Sequence, residues 1–66
     1  MKLKDWLYHN EITISQFARD MDVGRNWISD IIHRRKRPSK RLARDIENAT
    51  NGEVRAISLR GDDYVD

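Results

Sequence analysis

The sequence predicts a single all-α domain of four to five short helices. Three observations lead to that class. Apolar residues recur at i, i+3, i+4 and i+7 in successive windows, the period of a helix with one buried face. Capping and stop residues fall between those windows, so each helix is short and bounded. Before Gly52, no segment alternates apolar and polar residues as a half-buried strand does.

The first helix is expected in "KLKDWLYHN", where Leu3, Trp6 and Leu7 share a face and Asn10 supplies a residue tolerant of left-handed backbone to stop it. The second has the best-marked start in the chain. "TISQ" is a capping box, in which the Thr13 side chain accepts from the Gln16 backbone N–H and Gln16 reaches back. Ile12 before the cap and Phe17 at the fourth helical position fit the accompanying hydrophobic staple. Ile14, Phe17, Ala18 and Met21 make its apolar stripe, and "DVG" at Asp22–Gly24 interrupts it. A third helix opens near Arg25 with Ile28, Ile31 and Ile32 facing inward. Pro38 disfavours helical geometry at Arg37, and Ser39 can cap a fourth helix whose stripe is Leu42, Ala43, Ile46 and Ala49. "NG" at Asn51-Gly52 gives a left-handed stop. In the tail, Val54, Ile57 and Leu59 fit either a strand or a short helical turn. A lone strand would lack a partner, which favours the turn.

With 66 residues there is room for one domain, 1–66, whose core must be compact. A chain this short buries only roughly 60% of the surface its unfolded form exposes. The absence of cysteine excludes a disulfide framework and a cysteine-based zinc site, and suits a reducing cytosol. No apolar run approaches the roughly 20 residues of a membrane span, and "MKLKDWLYHN" lacks the apolar stretch of a signal peptide. A cytoplasmic protein with no membrane partner is therefore expected.

The net charge of +2 hides an asymmetry. From Arg25 to Arg44 the basic residues are Arg25, Arg34, Arg35, Lys36, Arg37, Lys40, Arg41 and Arg44, against the single acid Asp30. The final "DDYVD" carries acids and no base. A polyanion responds to the local field rather than to the sum, and such a concentrated basic face points to nucleic acid. A charge run can also be nothing more than a solvated loop.

The spacing of the second and third helices sharpens the reading. Ala18 is small enough to admit a neighbouring helix, Val23 plugs the intervening turn, and Ile28 and Ile31 press the third helix onto the second. Two short helices joined by a tight turn, at about 13–33, form a helix-turn-helix. If the third is a recognition helix, its outward residues Arg25, Asn26, Ser29, Asp30 and His33 are the candidates for base contacts. Arg pairs bidentately with guanine, Asn with adenine, and a carboxylate accepts from cytosine. Asp30 faces phosphate repulsion unless it reads a base or orients Arg25 or His33. Trp27 suits either of two places, as extra core over the second helix or as a packing surface against the DNA backbone. Lys40 and Arg41, in the first turn of the fourth helix, are disfavoured there by the macrodipole. Their presence points to phosphates, and the loop around Pro38 is read as a backbone clamp without base readout.

The stretch "TISQFARDMDVGRNWISDIIHRRKRPS" resembles the Cro- and C1-type phage-repressor helix-turn-helix, the broad xenobiotic-response-element-like family. Thr13 as cap, Phe17-Ala18, Val23, Ile28-Ser29, Ile31 and Pro38-Ser39 carry the likeness, and "NGEVRAISLRGD" resembles the ending of small Cro-like regulators. The resemblance implies a compact Cro/repressor-like domain that binds an operator in double-stranded DNA as a homodimer and regulates transcription. DNA-backbone contacts are expected from Thr13, Ser15, Gln16 and Trp27, and, from the charge of the basic run, from Arg34, Arg35, Lys36, Arg37, Lys40 and Arg41. Three departures bear on local geometry. Asp22 stands where the family has glycine, Ile14 replaces a polar residue, and Arg34 replaces the glycine that ends the recognition helix, which would lengthen that helix or end it irregularly. Ile57, Leu59, Tyr64 and Val65 are the candidate dimer residues, in a tail that from about 61 has latitude to be flexible.

No Ser-His-acid set, paired carboxylates or metal-spaced ligands emerge, so no enzyme, cofactor, metal or small-molecule substrate is expected. Two rival functions remain: an arginine-rich RNA binder using "HRRKRPSKR", and an antitoxin or adaptor that uses the helix-turn-helix to hold a protein.

Overall fold

The computed structural model describes residues 1–60. They form five α-helices: α1 (Leu3–His9), α2 (Ile14–Asp20), α3 (Arg25–Ile32), α4 (Lys40–Ala49) and α5 (Ala56–Arg60). The expected all-α class therefore holds, with the tail folding as a helix and no strand among the described residues. No helix among them is long and apolar enough to cross a membrane. Tyr64 and Val65, with the rest of the tail from 61, lie outside the described residues.

The helix starts follow the predicted chemistry. Thr13 Oγ1 accepts from Gln16 N–H at 3.1 Å, and Gln16 Oε1 accepts from Thr13 N–H at 2.9 Å, closing the capping box. Ser39 Oγ accepts from Leu42 N–H at 3.1 Å at the head of α4.

The helix ends share one device that the sequence only half reveals. After each of α1 to α4, one residue is left-handed: Glu11 (φ 54°), Asp22 (φ 59°), Arg34 (φ 60°) and Asn51 (φ 56°). The next residue's N–H then reaches back to a carbonyl in the last turn, as in Ile12 to Leu7 (3.0 Å), Val23 to Ala18 (3.0 Å), Arg35 to Asp30 (2.8 Å) and Gly52 to Glu47 (2.8 Å). These are Schellman closures, normally built on glycine. Two expectations change as a result. Asn10 is not the left-handed stop of α1; its φ is −96°, its side chain donates to the Trp6 carbonyl at 2.8 Å, and Glu11 makes the turn. Arg34 does not lengthen α3 or end it irregularly, because it takes the left-handed position itself and α3 stops at Ile32.

One cluster forms the core: Leu3, Trp6 and Leu7 from α1, Phe17 and Ala18 from α2, Ile28 and Ile31 from α3, Ile46 from α4, and Val54 between α4 and α5. Trp6 meets Phe17 edge-on, with ring centroids 6.0 Å apart. Ile12, Ile14, Met21, Val23, Ile32, Leu42 and Leu59 pack around it half-buried. Each fully buried Ile or Val side chain contributes about 1.5–3 kcal/mol. In α4 the stripe is Ala43, Ile46 and Thr50; Ala49, expected inside, is exposed. The Thr50 hydroxyl makes that burial tolerable, since it donates to the Ile46 carbonyl (2.9 Å) and accepts from Val54 N–H (3.1 Å). Glu47 Oε1 accepts from Ala56 N–H at 2.7 Å and so starts α5.

Candidate nucleic-acid interface

Residues 21–24 join α2 to α3, and the two helices pack against each other. Asp22 explains how a turn without glycine at that place closes. It is left-handed, and the short Asp side chain is among the few that tolerate αL. Gly24, at φ −71°, is instead the N-cap of α3. Ile28 and Ile31 face the core, which leaves Arg25, Asn26 and His33 exposed and Ser29 and Asp30 half-buried on the outer side. Four of the five candidate base-reading residues therefore lie on α3, away from its packed face, and the fifth, His33, is its C-cap.

Their local bonds differ. Arg25 and Asn26 open the helix. The Ser29 carbonyl accepts from both His33 N–H (3.0 Å) and His33 Nδ1 (2.8 Å). A carbonyl cannot donate, so Nδ1 carries the proton and Nε2 is the ring atom left for an outside partner. The Asp30 carboxylate pairs with Arg35 Nε at 3.1 Å, not with Arg25 or His33. The Arg35 and Lys36 N–H groups also reach the Asp30 carbonyl, at 2.8 and 3.3 Å. Asp30 thus ties the loop to the helix through both side chain and backbone. The exposed ion pair itself adds only about 0–1 kcal/mol. Its effect is to fix where Arg35 stands.

Trp27 is not extra core. It is 38% exposed and outside the buried cluster, and Lys36 Nζ sits over its ring, 4.4 Å from the centroid. A cation on an indole face contributes about 0.5–1 kcal/mol at an exposed site. The contact holds the basic loop against the first turn of α3.

The loop is secured from below as well. Pro38 is fully buried, and its carbonyl accepts from the Arg60 guanidinium at the end of α5. Arg60 is a residue that sequence reasoning missed: a support for the basic loop, held by a contact 22 residues away in sequence. No local pattern signals such a pairing. Arg34, Arg35, Lys36, Arg37, Lys40 and Arg41 are all exposed around this anchor. Thr13, Ser15 and Gln16 are exposed at the start of α2, where the capping box engages Thr13 and the Gln16 carbonyl oxygen and leaves the Gln16 NH₂ for other partners. Among the described residues, no group of His, Cys, Asp or Glu is arranged to hold a metal ion.

No protein-family model, curated protein or solved structure matches this chain.

Proposed function

We propose that the protein binds double-stranded DNA sequence-specifically and regulates transcription as a Cro-like repressor, with α3 in the major groove of an operator half-site. The observation that carries this reading is the outer face of α3. Arg25, Asn26, Ser29 and His33 present base-reading chemistry on one side of a short helix whose other side is fixed by Ile28 and Ile31. The basic loop supports it as a phosphate clamp, held in one shape by Asp30, Trp27 and Arg60. Phosphate contacts of that kind set register and affinity while the helix supplies sequence information. Thr13, Ser15 and Gln16 would grip the backbone on the other side of the groove. Asp30 contributes mainly by holding Arg35. In this reading the protein acts in the cytoplasm, as a homodimer on an operator whose half-sites lie about one helical turn (roughly 34 Å) apart.

Duplex binding by single-site variants tests the division of labour. Arg25→Ala should cost about 1–3 kcal/mol and relax one base position. Lys40→Gln should weaken all sequences alike and lower the salt slope by about one unit. An unchanged sequence preference in an Arg25→Ala, Asn26→Ala double variant would place specificity outside α3 and favour the arginine-rich RNA reading.

A further inference from the structure

A groove of about 830 Å³ is lined by the start of α1, by the end of α3 with the basic loop that follows it, and by the end of α5. Lys2 and Lys4 line it together with Arg34, Arg35, Lys36 and Arg37, and all six residues are exposed. At least thirty positions of chain separate any residue of one group from any of the other, so the fold alone brings them together. We infer that Lys2 and Lys4 extend the phosphate-binding surface beyond the helix-turn-helix, contacting backbone phosphates that flank the half-site read by α3.

Two observations carry this. The first is convergence: cations of one sign gathered across a concave opening focus their field and raise the local concentration of a polyanion. The second is the cost of their placement. Lys2 is the N-cap of α1 and makes no capping bond, and Lys4 lies in the first turn. A helix favours acids at that end and disfavours cations. The helix dipole therefore gives no reason for lysine at either position. Phosphate contacts do.

The inference rests on the DNA-binding reading for the identity of its polyanion, and the test separates the two. Binding is measured against salt for the wild type, Lys2→Gln/Lys4→Gln and Lys2→Arg/Lys4→Arg, with duplex DNA and with inorganic polyphosphate as probes. Each phosphate contact contributes about 0.9 to the salt slope on B-DNA. The Gln pair should therefore flatten the duplex slope by nearly two units, making the fall in affinity between 50 and 200 mM salt about tenfold smaller. Preference among sequences should stay the same, and the Arg pair should retain the full slope. Polyphosphate bound through the same lysines without any duplex binding would uphold the groove and sink the DNA reading. An unchanged slope in the Gln pair on both probes, a shifted sequence preference, or no binding of either probe by the wild type overturns the inference.

Discussion

Glu11 and Arg34 hold left-handed backbone with side chains poorly suited to it. For a non-glycine residue αL costs roughly 1–2 kcal/mol, partly offset by the greater freedom glycine loses on folding. Glu11→Gly should therefore stabilise the protein by about 0.5–1 kcal/mol, seen as a rise of roughly 2–8 °C in thermal unfolding. Asp22→Gly should gain less, because Asp tolerates this conformation better. Arg34→Gly separates stability from binding: it should raise the melting temperature while weakening every duplex alike. Under the proposed DNA-binding function, the charge of Arg34 outweighs its poor fit to this conformation. If Arg34→Gly left affinity untouched, the loop would not be a phosphate clamp.

The elements show which parts of the fold could be read in advance. Capping boxes and apolar stripes act within one turn of helix, so Thr13–Gln16, Ser39 and the faces of α2 and α3 were all legible. The candidate base-reading face followed from them directly. The errors came where tertiary contacts overrule local pattern. Ala49 fits the apolar period of α4, but the chain turns at that point and buries Thr50 instead, because its hydroxyl can satisfy the Val54 N–H. For Trp27, left open between core and surface, the exposure of 38% under Lys36 decides against core. Ile57, one of the candidate dimer residues, is 52% exposed on α5, while Leu59, another, packs inward. The α4–α5 junction offers a direct check. Thr50→Val keeps the shape and removes the acceptor, leaving the buried Val54 N–H unsatisfied at a cost of about 1–3 kcal/mol. A thermal or denaturant melt that did not move would show that the junction is held by packing alone.

At the scale of the whole molecule, the five helices sort charge from core. The radius of gyration is 10.7 Å, close to the roughly 11 Å of a compact chain this long. The N-terminal ammonium donates to the Glu53 carbonyl at 3.0 Å, and Trp6 Nε1 donates to Glu53 Oε2 at 2.9 Å, tying α1 to the α4–α5 link. That closure is what brings Lys2 and Lys4 alongside the basic loop. The α1 lysines and the basic loop then line one groove, at the C-terminal end of α3. The most direct measurement is selection of bound duplexes from a random-sequence pool at moderate salt. The account predicts enrichment of a palindromic consensus with half-sites about one helical turn apart, lost in the Arg25→Ala, Asn26→Ala double variant. A wild-type pool that stayed random after selection, bound only as tightly as any polyanion, would contradict it.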